Sequence, residues 1–175
     1  LSFHAKSLAA AETTVGMNGL QYNLSLPWLA EHLDATGADL ANQMAMDAVN
    51  SGHESTFAAI NLEGIAEITQ QMDTIAQAAL GDQGIWDALQ QARGQARGVE
   101  RWETAYLDLK DLRDQMSNDA LLSPLADPLY TGLDQAIIGH YGSDAYRWTG
   151  GLTVFFDPIN LKVYRDDGAV WSRDT

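Results

Sequence analysis

The sequence predicts a mainly α fold: a long antiparallel helical hairpin with flanking helices, closed by a small C-terminal antiparallel β meander. Three observations carry this reading. Apolar residues recur at helical spacing through the middle of the chain. A Gly-Asp pair interrupts that stripe once. Aromatic and β-branched residues crowd the last fifth.

Ser25 and Pro27 stand before Trp28-Leu29-Ala30 and read as a helix start, with proline in the first turn. Gly37 predicts a break or bend, and a second piece runs from Ala38 to Val49, ending at Ser51-Gly52. From Glu54 to Leu80 the apolar positions are Phe57, Ile60, Ile65, Ile68, Met72, Ile75 and Ala79, close to a helical period. Gly81 suits the position past a helix end, and Asp82 suits the cap of the next helix. The stripe resumes at Ile85 and continues through Leu89, Ala92, Ala96, Val99, Trp102, Tyr106, Leu109, Leu112 and Met116. Two long helices with a short link fold back on each other. Gly94 and Gly98 each cost the second helix roughly 1 kcal/mol against alanine, which predicts close packing or a bend.

Ser123-Pro124 and Asp127-Pro128 punctuate the next loop, and a shorter helix is predicted from Pro128 to His140, ended by Gly142. Composition then shifts. Residues 141–175 hold seven aromatics: Tyr141, Tyr146, Trp148, Phe155, Phe156, Tyr164 and Trp171. Leu152–Phe156 and Leu161–Arg165 read as strands, and Asp167-Gly168 as a hairpin turn before Ala169–Trp171. The predicted organisation is a helical domain over 1–140 and an aromatic-rich meander over 141–175, packed on that domain or on a partner.

Composition narrows the function classes. The chain has 175 residues, 46% hydrophobic and 19% charged, enough to bury a core. No apolar run approaches the roughly 20 residues that span a bilayer. Acidic residues number 24 and basic residues 10, a net charge of −14, which argues against direct nucleic-acid binding. The absence of cysteine excludes disulfides, thiolate metal sites and a cysteine nucleophile within this sequence. The opening Leu-Ser-Phe-His-Ala-Lys lacks a signal-peptide pattern.

Charge is unevenly laid out. No lysine or arginine lies between Ser7 and Ala92, and then Arg93, Arg97 and Arg101 follow at i, i+4, i+8. In a hairpin folded near Gly81-Asp82, this stripe faces Glu63 and Glu67, so intrachain neutralisation is predicted.

Motif searches assign no catalytic, cofactor-binding or metal residue, and no cofactor is expected. His4, His32, His53 and His140 form no chelating pair, so surface or capping roles are expected. Asp108, Asp111 and Asp114 recur every third residue, but Lys110 and Arg113 interleave, as on a solvated helix face. A site assembled from distant residues, such as Glu103 or Asp108 with His140, is conceivable, although nothing in the sequence singles it out. Tyr146, Trp148, Phe155, Tyr164 and Trp171 are the interface candidates, because alternation on a pleat keeps these rings from sharing one face.

The expected function is a non-enzymatic structural subunit of a larger assembly, a phage or virus particle component working through helix packing and a C-terminal β interface. Its partners would be other protein subunits in a homo-oligomer or hetero-assembly, its location virion or extracytoplasmic. Two alternatives stand beside it. One is an exported subunit of a cell-envelope secretion or conjugation apparatus. The other is a ligand-binding protein or enzyme with a pocket lined by Tyr146, Trp148 and His140 between bundle and meander.

Overall fold

The computed structural model describes residues 5–13, 20–52, 55–99 and 105–156. Among these the fold is mainly α with a small antiparallel β part. The elements are β1 (Ser7–Ala11), α1 (Tyr22–Glu31), α2 (Gly37–Asn50), β2 (Thr56–Asn61), α3 (Ile65–Gly81), α4 (Gln83–Gln95), β3 (Tyr106–Asp108), α5 (Leu109–Ser117), α6 (Ser123–Ala136), β4 (Ile137–Gly142), a 3₁₀ turn (Asp144–Tyr146) and β5 (Thr153–Phe155).

Local chemistry sets the helix ends. Thr36 and Asp39 form a reciprocal capping box, so Gly37 starts α2 rather than bending a longer helix. Asp82 caps α4 by accepting from the Gly84 and Ile85 amides at 2.7 and 3.2 Å. Asp108 caps α5, accepting from the Asp111 amide at 2.7 Å. Pro124 sits in the first turn of α6, where its missing N–H costs nothing.

The strands form two small sheets. β2 lies between β1 and β4, antiparallel to both, and β3 pairs antiparallel with β5. The β2–β4 register shifts between Ala59 and Ile60, a bulge at Ile138. β2 is buried through Thr56–Ile60. Its small residue Ala59 lets α2 approach one face, where Ala41, Ala45 and Ala48 meet Phe57 and Ala59. The larger core lies among α3, α4, α5 and α6, with Leu107, Leu112, Met116, Leu122 and Leu129 almost wholly buried.

Several expected elements take another form. The stretch expected to open a helix at Glu54 is instead β2 from Thr56, and the first helix of the hairpin begins at Ile65. A strand buried on both faces shows no alternation, so Phe57 and Ile60 fit a helical spacing by coincidence. The stripe from Ile85 to Met116 is divided among α4, an extended segment, β3 and α5. Gly98 there bridges Leu107 antiparallel. The helix expected from Pro128 to His140 starts at Ser123 and gives way to β4 at Ile137. Of the predicted meander, Leu152–Phe156 appears as β5, paired with β3. Leu161–Arg165 and Ala169–Trp171 lie outside the described residues.

Candidate functional site

Five polar side chains meet where the two sheets approach each other. Glu12 directly follows β1, Thr56 opens β2, Asp108 ends β3, His140 lies on β4, and Thr149 stands in the loop before β5. The topology explains the meeting. Thr56 and His140 lie on adjacent strands, with Ala58 opposite His140 and Thr56 opposite Gly142. The β3–β5 pairing brings Asp108 opposite Thr153, so the loop ahead of β5 folds over the Asp108 carboxylate. Gly150 donates its N–H to Asp108 Oδ2, and Gly151 donates its own to Glu12.

Hydrogen bonds link the side chains. Thr56 Oγ1 donates to Glu12 Oε2 at 3.1 Å, and Thr149 Oγ1 donates to the Tyr146 carbonyl at 2.9 Å. Each hydroxyl has only one proton. His140 Nε2 lies 2.8 Å from both hydroxyl oxygens, which stand 2.9 Å from each other. The buried Glu12 Oε1 has no hydrogen-bond partner among the described residues.

Burial first, then the Asp108 charge, push the Glu12 carboxyl from 4.5 up to about 8. Burial also raises Asp108, against the Gly150 and Asp111 amides that favour its ionised form. Burial pulls His140 below its usual 6.5, with Asp108 opposing the shift and Lys110 adding to it. At neutral pH the imidazole is therefore uncharged and Glu12 is protonated, so the 3.7 Å separation of His140 Nε2 from Glu12 Oε2 is not an ion pair.

Most of the cluster is closed to solvent. The Glu12 side chain is 2% accessible and the Asp108 residue 0%. Thr56 is likewise fully buried. The His140 side chain keeps 18% of its surface accessible, while the two hydroxyls beside its Nε2 are buried. The arrangement ties β1, β2, β4 and the β5 loop to the cap of α5. Among the described residues no group of three or more His, Asp or Glu side chains could hold a metal ion.

The sequence raised Asp108 with His140 as one conceivable pair, and the fold does bring both into this cluster. Glu103 lies outside the described residues. Glu12, Thr56 and Thr149 went unnoticed, since an acid after an alanine-rich strand and two scattered threonines carry no pattern. His140 is part-buried in this cluster rather than at the surface or a cap. His32 is exposed, its Nδ1 2.7 Å from the Trp28 carbonyl. His4 and His53 lie outside the described residues.

The arginine stripe does not face Glu63 and Glu67 as expected. α4 stops at Gln95, so Arg97 lies on the extended segment beyond it and pairs with Asp111 at 2.8 Å, its guanidinium stacked over Trp148. Arg93 Nε donates to the Phe156 carbonyl at 3.0 Å. Glu63 lies 3.9 Å from Lys6, and Glu67 accepts from Gln71. Arg101 lies outside the described residues. The three aspartates also separate: Asp108 faces Glu12, Asp111 faces Arg97, and Asp114 pairs with Lys110 and Arg113.

Of the interface candidates, Phe155 is 43% exposed and packs edge-on against Tyr106. Trp148 donates its indole N–H to the Ala145 carbonyl, and Tyr146 lies in the 3₁₀ turn, half-buried. Tyr164 and Trp171 lie outside the described residues.

No protein-family profile matches the sequence, and no curated protein matches it. Among solved structures, a cysteine protease of B. fragilis is similar in fold, with a TM-score of 0.56 at 10% identity. The match covers 93% of this chain and 73% of the protease chain. This likeness corrects the expected function. The fold is shared with a protease, nothing in the structure or the comparisons supports a phage or virus particle subunit, and that reading is withdrawn.

Proposed function

We propose that this chain takes part in proteolysis as a polypeptide-binding component that carries no nucleophile of its own. The fold likeness to the B. fragilis cysteine protease, extending over nearly the whole chain, is the observation that supports it. Cysteine proteases attack the peptide carbonyl through a thiolate, and this sequence has no cysteine. The hydroxyls nearest an imidazole, on Thr56 and Thr149, are buried. The chain alone therefore binds polypeptide without cleaving it, and its partner is another polypeptide.

The test is fluorescence anisotropy of labelled, unfolded casein titrated with the purified chain, followed by mass spectrometry of the casein. Saturable binding with casein left intact supports the reading. Cleavage by the chain alone, or no binding, overturns it.

A further inference from the structure

The outer edge of β1 combines unpaired backbone with an apolar wall. Among the described residues β1 pairs only with β2. The Leu62 N–H bonds the Lys6 carbonyl at 2.9 Å, in register with Ser7 opposite Asn61. Antiparallel alternation then turns the backbone groups of Leu8 and Ala10 toward β2, and those of Ser7, Ala9 and Ala11 outward. Beside this edge lies an open groove of about 670 Å³, floored and walled by Leu8, Ala9, Gly37, Leu40 and Met44, with Lys6 at its rim.

We propose that this groove takes an extended, neutral-to-acidic polypeptide segment from a partner, which adds a strand to β1 through the outward groups of Ser7, Ala9 and Ala11. Backbone pairing supplies the affinity, and alternate apolar side chains of the segment enter the groove. Charge selects the occupant. Lys6 is the one charged residue lining the groove in a chain of net charge −14. Lys6 is not fully neutralised: Glu63 stands 3.9 Å away, and both side chains are largely exposed. A second copy brings another −14 to the same edge, so mutual repulsion disfavours self-pairing. The inference rests on the sheet edge and does not require the proteolytic reading. It concerns one defined strand site, whereas casein binding reports the chain as a whole.

The probe is an acetylated heptapeptide that alternates valine and threonine and ends in glutamate, titrated into the ¹⁵N-labelled chain with amide exchange read by NMR. Saturation at sub-millimolar concentration is expected, with exchange at Ala9 and Ala11 slowed about tenfold or more while Leu8 and Ala10, already bonded to β2, change little. Replacing the terminal glutamate by lysine weakens binding several-fold. Ala9→Pro removes an outward N–H without touching the β1–β2 ladder and abolishes binding. Met44→Glu, on the α2 wall, does the same from the side-chain direction and guards against misfolding of the first variant. No saturation by about 2 mM peptide, a free energy too weak for strand addition, overturns the proposal. So does protection at other residues. Protection of Ala9 and Ala11 without peptide, together with a doubled sedimentation mass, overturns it in favour of a second copy.

Discussion

Glu12 and Asp108 are two interacting carboxyl groups buried together between the end of β1 and the cap of α5, and burial raises the pKa of both. The pair could not exist as two buried anions. The Gly150 and Asp111 amides stabilise charge on Asp108, whereas Glu12 has only the Thr56 hydroxyl and the Gly151 amide and keeps its proton. The neutral His140 closes the cluster with its Nε2 2.8 Å from the Thr56 and Thr149 hydroxyls. Every strand of the three-stranded sheet thereby contributes to one hydrogen-bonded clasp.

This pair makes stability fall as pH rises. The folded-state pKa of Glu12 is raised from 4.5 to about 8, so the folded chain holds a proton that the unfolded chain releases. That contribution is fully present below about pH 4.5 and lost as pH passes through about 8. Asp108 shifts in the same direction. His140, its pKa lowered from 6.5, acts in the opposite direction at acid pH, so urea midpoints at constant ionic strength should decline from about pH 7 to about pH 9. Glu12→Gln keeps a donor and an acceptor for Thr56 but cannot ionise, so it flattens the decline. An unchanged slope in that variant contradicts a protonated Glu12.

Truncating the other partner removes more. Asp108→Ala strips the α5 cap and leaves the Gly150 amide without its acceptor. A lost cap costs about 1 kcal/mol and an unsatisfied buried donor about 1–3 kcal/mol, so chemical denaturation should report a loss of about 2–4 kcal/mol. A loss below about 1 kcal/mol would place water, rather than Asp108, on those amides.

The clasp also depends on a backbone conformation. Gly151 has φ +98°, and a Cβ there would lie 2.9 Å from that of Ala58 on β2. Gly151→Ala combines left-handed strain with a clash against a buried strand. It should cost about 2 kcal/mol or more. Thermal unfolding measures this, and Gly94→Ala serves as the control, since nothing lies within 4 Å of that position.

The helical class was readable because α3, α4 and α5 bury clear stripes, and the Gly81-Asp82 link between α3 and α4 is written in capping chemistry. β2 and β4 were not readable for a different reason. Thr56–Asn61 is buried on both faces and shows no alternation. Ile137–Gly142 follows α6 without a loop, so its paired isoleucines and flanking glycines look like a helix end. The site followed from those misreadings. Asp108 and His140 drew attention as residue types, but their meeting depends on β4 pairing with β2 and on β3 pairing with β5. Arg97 illustrates the same limit. Its spacing from Arg93 suits a helix face, yet the helix ends at Gln95 and its partner is Asp111.

The proposed function is that this chain binds polypeptide without cutting it, the hydroxyls beside its imidazole being buried. The most direct measurement is turnover of casein by the purified chain over the pH range in which Glu12 ionises, with products read by mass spectrometry. The account predicts no cleavage by the chain, and the same null result for Thr56→Val and His140→Ala. Cleavage that the intact chain performs, and that either substitution abolishes, would contradict it.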